Sequence, residues 1–290
     1  MTEISPHLPY EKQFVEVLGQ QMAYVEHGAG DPIVFLHGNA TSSYIWRNIM
    51  PHLEGQGRLI GLDNISQGDS ARLPNSGPGT YTLAEHQTYI DGALEALGVR
   101  DNVTFVMHDW GGPLGITWAH RHPDAIRGFA YSEILVCDHD SYSDYPDAVG
   151  NMLKRLRTDE GEELVLVNNF FVENVFTAGV IREIDEETMN EVCRPYAEPG
   201  DPDLATPNSH QGEPADVAKL MGVLSDWMVG NAVPKLFINV APGQIVFERD
   251  LEILRSWSHS TEVTVTGKHH PQEDSPHEIG KALADWYAGL

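Results

Sequence analysis

Four short stretches of this chain carry side chains that together could displace a leaving group from carbon. The run VTFVMHDWGGPLG, residues 103–115, reads as a buried strand, a tight turn and a helix start, with Asp109 at the turn. Gly111 and Gly112 follow closely enough to permit a strand-to-helix elbow, the place from which a nucleophile is presented to substrate. Met107, two residues before Asp109, is larger than the glycine such elbows usually carry there. An aspartate at a strand end can equally be a plain helix N-cap. Elbow nucleophiles are followed in chain order by an acid and then a histidine. The stretch TGKHHPQEDSPHEIG offers His269 and His270 as bases in one loop, and GFAYSEI places Glu133 at a strand end between elbow and base. FINVAPGQIV has no acid at its turn, and Glu248 and Asp250 belong to a helix start, so Glu133 is the preferred orienting acid. In FLHGNATSSYIW, Asn39 adds a side-chain amide close after another strand, and Trp110 adds an indole N–H. Both are neutral donors, suited to holding an anion that departs from the substrate. A tryptophan at a strand end is otherwise a core residue.

The residue types narrow the chemistry. Displacement at saturated carbon needs an anionic nucleophile in line with the leaving group. A serine would yield an ether, which water does not cleave under mild conditions, whereas a carboxylate yields an ester that an activated water can hydrolyse. Such a scheme requires no metal and no organic cofactor.

These side chains need a sheet to position them. QFVEVLGQQMAYVEHG alternates as a hairpin about Gly19. DPIVFLHGN, GRLIGLDN, DNVTFVMHD and IRGFAYSEI read as short buried strands. YTLAEHQTYIDGALEALGV carries one apolar helical stripe, and PLGITWAHRHPDAI is a helix stopped at Pro123. Strand and helix alternate, so the sheet is expected to be mostly parallel and covered on both faces. From Leu135 to Gln211 strand-like runs nearly vanish, and fragments such as EELVLVNNFFVENVF are helical. Alternation then resumes through EPADVAKLMGVLSDWMVG, VPKLFINVAPG, LEILRSWS, TEVTVTG and HEIGKALADWYAGL. The expected organisation is an α/β core of residues 1–134 and 212–290 with a helical cap, 135–211, over the carboxyl ends of the strands, where ligands bind in such sheets.

Composition sets limits. The 290 residues suffice for one sizeable core with an insertion. Lys and Arg number 18 against 43 Asp and Glu, a net charge of −25, which disfavours nucleic acid, anionic membrane and acidic substrates but not small apolar ones. Cys137 and Cys193 form no disulfide framework and are expected to be reduced. No stretch approaches the roughly 18 consecutive apolar residues of a membrane span. The N-terminus lacks a signal-like apolar segment, so a cytoplasmic location is the default, with a periplasmic one still open.

With these motifs assembled, the chain resembles a haloalkane dehalogenase of the α/β-hydrolase superfamily over nearly its whole length. The resemblance is strongest in FLHGNATSSYIWRNIMPHL, HDWGGPLG, GEPADV, VPKLFINVAPG and QEDSPHEIG. It implies the α/β-hydrolase fold, Asp109 as nucleophile, His269 as base and Glu133 as orienting acid. Asn39 and Trp110 are implied as halide binders and oxyanion-hole donors. The partners it implies are a small apolar halogenated substrate and a halide ion. His269 is chosen over His270 because the family's base stands three residues before the glutamine of QED, here Gln272. The acid position resembles the subfamily that uses a glutamate, and GEELVLVNNFFVENVF also resembles the coelenterazine luciferase of sea pansies. Three departures bear on substrate preference. His270–Pro271 stand where the family carries an aromatic and an aliphatic residue, Ser66 of DNISQGDS stands for a glycine, and ILVCDHDSYSDYPD lacks the common Pro-rich, Trp-bearing form. Epoxide hydrolases share HDWG and use cap tyrosines, for which Tyr142, Tyr145 and Tyr196 qualify, but typically carry an aromatic in place of Asn39. A metal cluster of His269, His270, Glu273 and His277 is a further alternative.

Overall fold

The computed structural model describes residues 3–74, 80–135, 138–156, 158–197 and 214–290. Eight strands form one sheet: β1 (Lys12–Val17), β2 (Gln20–Gly28), β3 (Pro32–Leu36), β4 (Arg58–Leu62), β5 (Val103–Asp109), β6 (Ile126–Ile134), β7 (Lys235–Pro242) and β8 (Ser260–Gly267). Their spatial order is β1-β2-β4-β3-β5-β6-β7-β8. The β1–β2 and β2–β4 pairings are antiparallel and all the others are parallel. The expected hairpin turns at Leu18 and Gly19, both at positive φ, the conformation a two-residue hairpin loop demands.

Strand alternation splits the interior into two layers. Val34, Leu36, Phe105, Met107, Phe129 and Tyr131 point to one face, and Ile33, Phe35, Val106 and Ala130 to the other. The first face is covered by α1 (Leu83–Ala96), α2 (Gly111–Arg121), α6 (Pro214–Gly230) and α7 (Glu248–Ser256). The second face is covered by the turns Ser43–Trp46 and Met50–Leu53 and by α9 (Pro276–Tyr287). Central strands therefore read as unbroken apolar runs because both faces are dry. Each buried Leu, Ile or Phe in these layers contributes about 1.5–3 kcal/mol of transfer free energy. Thr82 starts α1 by accepting from the Glu85 N–H, and Leu83, Tyr89, Ile90, Ala93 and Leu94 bury the predicted stripe. The helix α2 begins two residues before the stretch read as helical, at Gly111, and α7 starts at Glu248 as expected.

Between β6 and α6 the described residues contain no strand. They form α3 (Asp147–Arg155), α4 (Asp159–Leu166), a π-helical turn at Phe171–Phe176 and α5 (Glu186–Cys193). EELVLVNNFFVENVF is thus two helical pieces with a break at 167–169. Cys193 is a free, half-buried thiol, and Cys137 lies outside the described residues. Among the described residues no helix is long and apolar enough to cross a membrane.

Candidate active site

The carboxyl edge of the sheet brings together residues from four strand ends. Asp109 ends β5 with φ +51. A non-glycine residue in the left-handed region costs on the order of 1–3 kcal/mol and persists only where its surroundings impose it. Here the surroundings are glycines. A Cβ on Gly38 would lie 2.1 Å from Asp109 Oδ2, and one on Gly111 would lie 2.1 Å from the Leu36 carbonyl oxygen. The oversized Met107 is accommodated from the opposite side: a Cβ on Gly115 would meet its Sδ at 2.6 Å. The room that a small residue two before Asp109 would leave is supplied by the fifth residue of α2.

Glu133 is placed by an irregularity the sequence does not announce. His108 pairs with Ser132 and Asp109 with Ile134, so Glu133 is the extra residue of a bulge on β6, at φ +46. A bulge re-aims its side chain. The Glu133 carboxylate is buried, and its Oε2 accepts the N–H groups of Gln244 (3.1 Å) and Ile245 (2.8 Å). His269 follows β8. Its Nδ1 is 3.5 Å from Glu133 Oε2 and its Nε2 is 4.0 Å from Asp109 Oδ1. Both separations exceed a formed hydrogen bond, a common condition of catalytic contacts without substrate. Burial opposes charge on His269, but the nearby carboxylates of Glu133 and Asp109 outweigh it, so the imidazole titrates above its usual value. Burial raises the Asp109 carboxyl. Charge on His269 and the backbone N–H groups of Asn39 and Trp110 hold it down only in part.

Asn39 stands three residues beyond β3, and its backbone N–H donates to Asp109 Oδ2 at 2.7 Å. Its side chain is oriented from behind. Oδ1 accepts from Gln67 Nε2 (2.8 Å) and the Ala40 N–H (2.9 Å), while Gln67 Oε1 accepts from Asn64 Nδ2 (3.1 Å). That assignment leaves Asn39 Nδ2, a buried donor, with no partner among the described residues. Ser66, where the family pattern has glycine, sits at φ +70, so the left-handed turn leading to Gln67 is kept without the glycine.

Two residues absent from the sequence reading also serve the site. His108 Nε2 lies 2.6 Å from the carbonyl oxygen of His269. A carbonyl only accepts, so Nε2 carries the hydrogen and fixes the backbone at His269. The ring is held neutral by burial and by His269 beside it. A histidine inside an apolar strand was the available signal, since a buried polar ring needs a partner. Gln67 had none.

His270 is not a partner of Asp109 or Glu133. Its N–H donates to the Gly179 carbonyl at 2.8 Å, and its ring packs 4.6 Å from Phe176. The short helix α8 (Pro271–Asp274) then joins three parts of the chain. Glu273 makes a fully buried bidentate pair with Arg47 (2.6 and 2.8 Å) and receives Arg182 at 2.8 Å. The Asp274 carboxylate accepts the N–H groups of Ile181 and Arg182. The two guanidinium groups overcome burial and hold the Glu273 carboxyl below its usual range. Glu273 is thereby taken out of the four-residue metal cluster considered above. His277 is likewise engaged, with Nδ1 3.0 Å from His52 Nε2.

Asp109, Asn39, Trp110 and His269 open into a cavity of about 180 Å³. Its walls are mainly apolar, with Ile134, Leu135, Val149, Met152, Phe176 and Met221 among them. Tyr142 and Tyr145 line it, whereas Tyr196 faces a separate small cavity beside Ala40.

Residues 31–276 match the family model described as the alpha/beta hydrolase fold. The chain is 44% identical over 279 residues to a haloalkane dehalogenase of Sphingobium indicum, covering 94% of each chain. It is 43% identical to a haloalkane dehalogenase of Mycolicibacterium smegmatis, covering 96% of this chain and 91% of the other. The crystal structure of haloalkane dehalogenase DbeA from Bradyrhizobium elkani superposes with a TM-score of 0.88 at 33% identity, covering 96% and 98% of the two chains.

Proposed function

Since this chain belongs to the haloalkane dehalogenases of the alpha/beta hydrolase fold, we propose that it hydrolyses haloalkanes to an alcohol, a halide ion and a proton. Asp109 Oδ1, the oxygen not held by Asn39, attacks the halogen-bearing carbon. A C–O bond forms, the carbon–halogen bond breaks, and the halide leaves with the electron pair. The Asn39 side-chain amide and the Trp110 indole stabilise that charge as it develops. His269 then takes a proton from water, and the hydroxide attacks the ester carbonyl of Asp109. The backbone N–H groups of Asn39 and Trp110 hold the oxyanion; as it collapses, His269 returns its proton to the departing alkoxide to give the alcohol, and Asp109 sheds its acid proton to solvent, restoring the carboxylate. Glu133 orients His269 and balances its transient charge. Residues 135–211 act as a cap that keeps bulk water from the ester, over a core of 1–134 and 212–290.

The observation that carries this reading is Asn39. Its oxygen is occupied, and its amide nitrogen is buried beside the nucleophile with no protein acceptor among the described residues. A buried donor left unmade costs about 1–3 kcal/mol. It is tolerated where a ligand supplies the acceptor, and a halide does so.

The test is His269→Phe incubated with a bromoalkane. Alkylation should proceed and hydrolysis stop, so intact-mass spectrometry finds one alkyl group on the protein and fragmentation places it at Asp109. An unmodified protein at saturating substrate would defeat the scheme. An epoxide assayed beside the bromoalkane with the unaltered enzyme separates the alternative use of Tyr142 and Tyr145 as proton donors.

A further inference from the structure

The cavity wall contains a polar pair for which an unsubstituted haloalkane has no use. His139 and Asp250 both line the cavity and are 7% and 5% exposed. Their contact, His139 Nε2 to Asp250 Oδ1, is 2.8 Å. The other carboxylate oxygen of Asp250 accepts the Phe247 N–H at 3.0 Å, which caps α7. Asp250 is thus accounted for: it starts a helix and holds a histidine.

His139 is only half accounted for. The carboxylate accepts, so Nε2 carries the hydrogen, and in the neutral ring Nδ1 is left as a bare acceptor. Among the described residues nothing donates to it, although the side chain is more than nine-tenths buried. The ring is not free to turn away. Tyr145 packs against it at 4.5 Å, and Asp250 fixes its edge. A fixed acceptor set in an apolar cavity selects for a ligand with a hydrogen to donate.

We propose that His139 Nδ1 is a specificity subsite for the hydroxyl group of a halogenated alcohol. This inference rests on the dehalogenase reading. Such a substrate places its halogen-bearing carbon at Asp109, its methylene chain along the apolar wall, and its terminal O–H on His139. The reaction is otherwise unchanged, and the product is a diol. Asp250 acts as a positioning residue by holding His139 in the tautomer that offers Nδ1.

The experiment compares a series of ω-bromoalkanols with bromoalkanes of the same chain length, reading kcat/KM by bromide release. At one or two chain lengths the ratio of alcohol to alkane should rise for the unaltered enzyme. In His139→Phe that ratio should fall by roughly threefold to tenfold, the worth of one hydrogen bond. His139→Gln can still donate to Asp250 and present an acceptor, so it should restore part of the ratio. It also supplies the comparison if the phenylalanine variant does not fold. Calorimetry with the matched diol against the simple alcohol reads the same contact without turnover. A ratio that is the same in the unaltered enzyme and in His139→Phe at every chain length overturns the subsite while the dehalogenase reading stands. No bromide from either series overturns both.

Discussion

Gly38→Ala isolates what the tight fit under Asp109 contributes. Gly38 does not occupy the left-handed region, so its backbone accepts alanine without strain. The added methyl is the whole perturbation. It would fall 2.1 Å from Oδ2, 2.3 Å from Cβ and 2.5 Å from Cγ of Asp109, where real contacts stay above 3.0 Å. Either the carboxylate retreats by about 1 Å, or the 37–39 turn does and carries the Asn39 N–H away from Oδ2. A 1 Å misplacement of a reacting group costs about 10²-fold in rate, equivalent to about 2.7 kcal/mol of barrier. Steady-state bromide release should therefore fall on the order of a hundredfold, with thermal unfolding used to show that the fold survives. Gly230→Ala is the control, because nothing lies within 4 Å of the Cβ it would add. A Gly38→Ala enzyme retaining turnover within about threefold of the original would refute the premise that this contact sets the position of the nucleophile.

Three further outcomes follow from the same geometry. Hydrolysis needs neutral His269, whose titration lies above 6.5, so the ester-cleavage rate should fall as pH drops through that raised value. Because the fold favours the protonated ring, the stability linked to it is fully present below about 6.5 and is lost as pH rises through the folded value. Glu133→Gln removes the leading cause of the upward shift, so the acid limb should move to lower pH. A limb that stays in place would free Glu133 of that role. Glu273→Gln leaves the fully buried Arg47 guanidinium short of its counter-charge, a loss of about 3–5 kcal/mol and a fall in Tm on the order of 10 °C. A calorimetric Tm that hardly moves would show that Arg47 and Arg182 find other acceptors. With a net charge of −25, self-repulsion should relax as the screening length shrinks. Tm is thus expected to rise between about 0.1 M and about 1 M salt, and a salt-independent Tm rejects this.

The central strands were legible because burial on both faces of a parallel sheet leaves continuous apolar runs, and the four stretches read that way are β3 to β6, while the alternating hairpin is β1 and β2. The position of Asp109 was legible because it ends such a run, and that of Asn39 because it comes three residues after one. Glu133 was found for a sufficient but incomplete reason. It lies at a strand end, yet it faces inward only because of a bulge, which depends on cross-strand register and has no local signature. The spacing alone left His269 and His270 open, and the choice came from the resemblance through Gln272. The Arg47–Glu273 pair joins residues 226 apart, and Gly115 relieves Met107 across a helix–strand contact. Neither pairing can be read from a linear pattern, because each arises from packing between elements.

The stitching of residues 179–182 to 270–274 has a consequence for traffic through the site. The strand of chain that carries the base is fastened on one side to Arg47 of the core and on the other to Gly179, Ile181 and Arg182. An opening movement along this edge would drag His269 away from Glu133, and reclosure would have to restore the alignment at every turnover. Passage of reagents and products along any other edge would spare that alignment. The opposite border, where residues 138–153 meet α7 and α6 around the cavity, includes the His139–Asp250 contact and the exposed Arg249–Asp138 ion pair. The edge that aligns His269 is thus the buried, multiply bonded one, and the opposite edge can be altered without touching those bonds.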